Sequence, residues 1–150
     1  MSEEYTKAQI VGVYEAKENP IMPYYIVLLK GETWDKEVLP ISIGGFEAVS
    51  INDALEGYTP QRPMTHDLIV NILNELDVEV EKITIDALIN NIYTATIVLK
   101  EIRNGKLIRH HIDARPSDSI AIALRTKAPI YVSESLRKYA VDKDDLILPE

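Results

Sequence analysis

Apolar and polar positions change period several times along the chain, and each change marks an element. Tyr5 to Ala16 alternates with period two, placing Ile10, Gly12 and Tyr14 on one face, and reads as a first strand. Glu18-Asn19-Pro20 and Pro23 bracket a loop, and Tyr24 to Leu29, rich in aromatic and branched residues, reads as a second strand. Gly31 to Asp35 turns the chain into a third strand, Glu37 to Ile43, which ends at Gly44-Gly45. The period then becomes helical. Phe46 to Leu55 predicts a helix with Ala48, Val49, Ile51, Ala54 and Leu55 inward and Gly57 as its stop. A loop from Tyr58 to Pro63 follows. Thr65 suits the N-cap of a second helix, with Asp67 in its first turn and an apolar stripe of Leu68, Ile69, Ile72, Leu73 and Leu76.

Val78 to Leu88 returns to strand, but its apolar phase slips between Val80 and Ile83, as a bulge requires. Asn90-Asn91 turns into a strand over Ile92 to Ile102, and Asn104-Gly105 is a hairpin signal that pairs it with Leu107 to Asp113. The stretch that organises the chain comes next, DARPSDSIAIALRTKAPIYVS from Asp113 to Ser133. Pro116 fits a first helical turn and Asp118 complements the helix dipole. Ile120 to Leu124 is apolar without a polar face, the mark of a buried helix. Ala128-Pro129 ends it, and Ile130-Tyr131-Val132 reads as a short buried strand. Ser133 suits the cap of a last short helix, Glu134 to Tyr139, and VDKDDLILPE reads as a loosely held acidic tail. The expected organisation is one domain over 1–140 and a tail over 141–150.

Ser50-Ile51-x-x-Ala54-Leu55 with Pro60 echoes Ser119-Ile120-x-x-Ala123-Leu124 with Pro129. Each helix follows three predicted strands, so the echo points to two copies of a three-strand-plus-helix unit. The fold class implied is α+β, with largely antiparallel strands and helices packed on them.

Composition narrows the function. At 150 residues and 46% hydrophobic content the chain suits one globular domain. With no cysteine there is no disulfide frame and no thiolate nucleophile or ligand, which fits a reducing compartment. No apolar run approaches the roughly 20 residues of a membrane span, and the acidic N-terminus lacks a signal-peptide core, so a cytoplasmic protein is expected. The net charge of −8 argues against non-specific adhesion to nucleic acid, while leaving room for a local basic cleft. P-loop, GxGxxG, HExxH and GxSxG signatures are missing.

The remaining chemistry gathers at predicted helix entrances. Asp113 and Asp118 can supply oxygen ligands to a divalent cation such as Mg²⁺ or Mn²⁺, or serve as a strand-end acid and a dipole acid. His66 in a first turn suits a general base, or an exposed histidine on a capped helix. Arg62-Pro63 and Arg115-Pro116 both introduce helices, where a guanidinium beside free N–H groups cradles phosphate or pairs with a local acid. Glu47, just after Gly44-Gly45, is a third carboxylate for the same site or another acid placed for the helix dipole. His110 and His111 are adjacent on a strand and face opposite sides. Tyr24, Tyr25, Tyr58 and Tyr93 are candidates for base stacking or for packing.

Leu39-Pro40-Ile41 with Ile43-Gly44 and Phe46-Glu47-Ala48, Ala54-Leu55-Glu56-Gly57, Arg62-Pro63-Met64-Thr65-His66-Asp67-Leu68, and Asp113-Ala114-Arg115-Pro116-Ser117-Asp118-Ser119-Ile120-Ala121 through Ala128-Pro129-Ile130 to Val132-Ser133 together resemble the bifunctional nuclease domain family. The similarity runs from about Ile10 to Ser135. The family pattern usually has a tryptophan before the Ile-Gly pair and an acid after it; Ser42 and Gly45 stand there in this chain. The resemblance implies cleavage of DNA and RNA and association, as dimers, of a family whose catalytic set is not established. On that reading Glu47, Asp113 and Asp118 hold a cation or activate water, His66 moves a proton, and Arg62 and Arg115 bind phosphate. The alternative is a non-catalytic regulatory module, an oligomer that binds a phosphorylated ligand or a protein. In a third reading the same residues only cap and brace helices.

Overall fold

In the computed structural model of the chain, residues 4–16 and 24–146 are described. The predicted loop around Glu18 to Pro23 and the last four residues lie outside them. The described strands are β1 (Tyr5–Ala16), β2 (Tyr24–Gly31), β3 (Glu37–Ile43), β4 (Glu79–Ile89), β5 (Ile92–Arg103), β6 (Lys106–Ala114), β7 (Ile130–Ser133) and β8 (Val141–Asp142). The helices are α1 (Gly45–Glu56), α2 (Thr65–Glu75) and α3 (Pro116–Thr126), followed by 3₁₀ turns at Glu134–Tyr139 and Lys143–Asp145. The chain is α+β. No helix among the described residues is long and apolar enough to cross a membrane.

The strands form one sheet in the order β6-β5-β4-β7-β1-β2-β3-β8, antiparallel except where β4 meets β7. Two three-strand meanders, each followed by a helix, therefore lie on either side of β7, the arrangement the sequence echo anticipates. Short turns explain the meanders. Asn90 and Asn91 have φ of 51° and 64°, and Asn104 and Gly105 have 53° and 76°, the left-handed pair that matches strand twist in a two-residue hairpin. A crossover is needed to bring in β7, because a parallel partner cannot be reached by a tight turn. The helix α3 provides it, carrying the chain back from edge strand β6 to the middle of the sheet.

The expected bulge in β4 lies between Val80 and Lys82, and a second lies between Ile85 and Ala87. Between them Ile83 and Ile85 are fully buried, beside Ala95 and Ile97 of β5 and Ile130 and Val132 of β7. The core continues through Val27, Leu29, Leu39 and Ile41. Into it α3 buries Pro116, Ser117, Ser119 and Ile120 to Ala123, as its unbroken apolar run predicts.

Four expectations need correction. In α1 only Ala48 and Ile51 are buried, while Val49 and Leu55 are exposed, because α1 packs along α3 through a narrow face. In α2 the cap position belongs to Met64, and Thr65 is the first helical residue. The Asp67 carboxylate accepts from the Met64 N–H at 3.0 Å, the half of a capping box that an acid at the third helical position supplies. The α2 stripe is also split. Ile69 and Val70 pack on the core, whereas Leu68, Ile72 and Leu76 are exposed, since α2 rests on α3 and leaves a cleft over the β5–β6 end of the sheet. At the C-terminal end, Val141 and Asp142 pair with Val38 and Glu37, and Lys36 Nζ bonds Asp144 at 3.0 Å, so this part of the acidic segment is tied down.

Candidate active site

The N-terminal halves of α1, α2 and α3 meet, and polar side chains from their first two turns form one continuous chain of hydrogen bonds and ion pairs. His66, on α2, is buried. Its Nδ1 lies 2.6 Å from Ser50 Oγ on α1, and its Nε2 lies 2.8 Å from Asp118 Oδ1 on α3. Arg115, the N-cap residue of α3, donates from Nε to Asp118 Oδ2 at 2.8 Å and from Nη2 to Asp118 Oδ1 at 3.1 Å. The same Nη2 sits 3.1 Å from Glu47 Oε1 on α1. Arg115 Nη1 has no hydrogen bond among the described residues, and the side chain is 64% exposed.

Local sequence explains the convergence. Pro116 starts α3 without needing an N–H partner and keeps the Arg115 backbone extended as the N-cap, from which the guanidinium meets the residue three positions on. Below the site a second ion pair fastens the helices. Arg125 Nε donates to Asp67 Oδ1 at 2.8 Å, and Nη1 donates to the carbonyls of Ser50 at 3.2 Å and Ala121 at 3.0 Å. One guanidinium thus ties α1, α2 and α3 together.

Burial works against ionisation of Asp118, but hydrogen bonds from Arg115 and His66 outweigh it and hold the carboxyl below the usual carboxylate range. Asp67 is likewise opposed by burial and brought below that range by Arg125 and the Met64 N–H. The Asp118 partnership raises Arg115, which stays charged. An ionised Asp118 accepts the Nε2 proton of His66. In the neutral ring Nδ1 is then an acceptor, and the Ser50 hydroxyl donates to it. A proton arriving on Nδ1 reverses that bond.

Four of the six expected residues, Glu47, His66, Arg115 and Asp118, therefore meet. Asp113 borders the same apolar cleft as His66 and Asp118, but has no hydrogen bond or ion pair among the described residues. It pairs across the ladder with Thr96, so strand alternation sets it on the face opposite Ile112 and Ala114. Arg62 is exposed on the loop before α2 and has no partner among the described residues. Ser50 is the participant that composition and spacing did not single out; its signal was the echo with Ser119, whose hydroxyl instead bonds the Arg115 carbonyl at 2.9 Å. His110 and His111 stand opposite Leu99 and Val98, on different faces of β6.

The donor set does not fit a resident cation. Among the described residues no three His, Asp or Glu side chains are grouped as a metal ion requires. Glu47 and Asp118 both lie against Arg115, so Mg²⁺ or Mn²⁺ would compete with a guanidinium for the same oxygens.

Residues 27–143 match the model of the bifunctional nuclease domain. The chain is 38% identical over 124 residues to an uncharacterized protein of Mycobacterium tuberculosis, covering 83% of this chain and 69% of that one. It is 28% identical over 114 residues to Bifunctional nuclease 2 of Oryza sativa subsp. japonica and 27% identical over 114 residues to Bifunctional nuclease 1 of Arabidopsis thaliana. Each of these covers 76% of this chain but only 35% of the plant protein. With the family model matched over most of its length, this chain belongs to the bifunctional nuclease domain family.

Proposed function

We propose that this chain hydrolyses phosphodiester bonds in nucleic acid, with Arg115 binding phosphate and His66 moving the proton. The observation that carries the reading is the open Nη1 of Arg115 on a guanidinium otherwise held in place by Glu47 and Asp118. A planar donor fixed by two acids presents its free edge to a phosphate oxygen without having to be ordered on binding. The three helix N-termini around it add favourable dipoles.

In hydrolysis a water oxygen bonds to phosphorus, the bond to the leaving oxygen breaks, one proton leaves the water and one reaches the leaving oxygen. Both His66 nitrogens are engaged, so the proton passes through the Ser50 hydroxyl. Ser50 gives its proton to Nδ1 as it takes one from the water, and the reverse transfer serves the leaving oxygen. Asp118 holds the ring and stabilises the imidazolium. Asp118 is in this reading a positioning acid, and Glu47 positions Arg115.

The plant relatives' names and the family description support a nucleic-acid substrate. Cleavage of single-stranded and duplex DNA and RNA by rigorously purified protein, with Mg²⁺, with Mn²⁺ and with chelator, tests it. Activity that falls at least about a hundredfold in His66→Gln is expected; activity unchanged in His66→Gln and in Arg115→Ala marks a contaminant and overturns the site.

One observation favours the second reading, a non-catalytic module that binds a phosphorylated ligand: Glu47 and Asp118 both lie against the Arg115 guanidinium, so neither stands free beside its open edge. Phosphate-dependent stabilisation without cleavage is the result it predicts. For assembly, we infer a homodimer through the outer face of α2, where Met64, Leu68, Ile72 and Leu76 recur every four residues and are 49–65% exposed.

A further inference from the structure

Arg115 forms part of two hollows. One is the apolar cleft under α2; the other, about 410 Å³, lies between the end of β3, the β4–β5 turn and the start of α3. The second plays no part in the proton chain described above. Its volume falls within the roughly 300–1,000 Å³ of small-ligand sites. Ile43, Ile92 and Tyr93 give it apolar and aromatic walls, and Ser42, Arg115 and Ser117 give it polar ones.

Ser117 is the informative residue. The residue is only 5% exposed, and its hydroxyl, which has no hydrogen-bond partner among the described residues, keeps its opening at the hollow it lines. A hydroxyl enclosed on its other sides and open only there offers one donor and two acceptor positions to whatever occupies the hollow. Its own N–H and that of Asp118 precede the first α3 hydrogen bond, which runs from the Ser119 N–H to the Arg115 carbonyl at 3.0 Å. Donors without a protein acceptor thus meet an aromatic wall beside a guanidinium. A ligand that satisfies all three has a flat heteroaromatic ring with edge acceptors and an attached anion.

We propose that this hollow is a nucleobase subsite, taking the base next to the phosphate on Arg115, with Tyr93 against the ring and Ser117 at its edge. The proposal rests on the phosphodiesterase reading for the placement of phosphate. Ser42 controls access: it is exposed at the rim, and a large side chain there fills the hollow.

The test measures binding apart from cleavage. Affinities of wild-type protein for nucleoside 5′-monophosphates, ribose 5-phosphate and inorganic phosphate are compared by calorimetry, with cleavage assayed in parallel. Stacking predicts that at least one nucleotide binds about tenfold more tightly than ribose 5-phosphate. Ser42→Trp should remove that advantage and leave inorganic phosphate binding unchanged. Ser117→Ala, a smaller change that keeps the fold, should weaken nucleotide binding at least about threefold and spare ribose 5-phosphate. Nucleotides that bind no better than ribose 5-phosphate, or an advantage that survives in both variants when they melt like wild type, overturn the subsite whatever the cleavage result. A base advantage lost in the variants, in protein that cleaves nothing, supports the subsite and overturns the catalytic reading instead.

Discussion

Replacing Asp118 by Asn tests the core of the site, because the side chain keeps its shape and loses its charge. Asp118 accepts from His66 Nε2 and twice from Arg115. Asn offers one acceptor oxygen and an N–H₂ group, so either the His66 or the Arg115 Nε donor must face another donor. Hydrogen bonds to charged groups contribute about 1.5–3 kcal/mol each. The Arg115 side chain is 64% exposed and solvent screens its share, whereas His66 is only 10% exposed. The His66 bond therefore dominates, and the expected loss of stability is about 1–3 kcal/mol at neutral pH. The pH dependence follows from the lowered carboxyl pKa. A depressed folded-state value stabilises above the ordinary value of 3.8 and is lost as pH falls through the folded-state value. The difference between wild type and Asp118→Asn should accordingly be largest near neutrality and shrink in acid. Urea unfolding followed by circular dichroism at neutral pH and at several acid values measures it. A difference that does not change with pH, or one within the ~0.5 kcal/mol typical of surface substitutions, refutes the coupling. The same variant should cut kcat on a phosphodiester by about 10²–10⁴-fold, with His66 in place but no longer held.

Arg115→Lys tests the fork: an ammonium cannot span Glu47 and Asp118 and still present a planar outward edge, so KM for a phosphodiester should rise about tenfold or more in steady-state kinetics. Arg125→Met leaves Asp67 and two carbonyls without their partner at a side chain only 10% exposed, and should cost about 3–5 kcal/mol in thermal or chemical unfolding. Ile72→Lys places a charge in the exposed α2 stripe and tests the homodimer inferred there: light scattering should give a dimer mass for wild type and a monomer mass for the variant, with the melting of the folded domain little changed. Gly105→Ala at φ +76° should lose about 1 kcal/mol in urea unfolding, and Gly105→Asn less, because Asn tolerates the left-handed region.

Local pattern determined most of the elements. Alternation placed β1 and β3, the Asn-Asn and Asn-Gly turns produced the meander of β4, β5 and β6, and the slip between Val80 and Ile83 announced the bulge. The apolar run from Ile120 declared a buried helix because no orientation of it could face water. Family membership was legible too, since the motifs from Arg62 to Leu68 and from Asp113 to Ala121 are contiguous in sequence.

What depends on distance in space was decided only by tertiary packing. Nothing local tells β7 to pair between β4 and β1, since a short buried strand satisfies its hydrogen bonds wherever an edge is offered. The stripe of α2 has one apolar chemistry, yet Ile69 points into the core and Ile72 toward solvent, because the neighbouring helix and sheet end cover only part of it. The site divides the same way. Arg62 and Arg115 look alike beside their prolines, but only Arg115 stands where acids from two helices reach it. Ser50, an ordinary helical serine by sequence, becomes the partner of His66 because α1 and α2 meet there. Composition supplies the charged and polar groups, and their pairing is set by which helix entrances the shared core brings within hydrogen-bond reach.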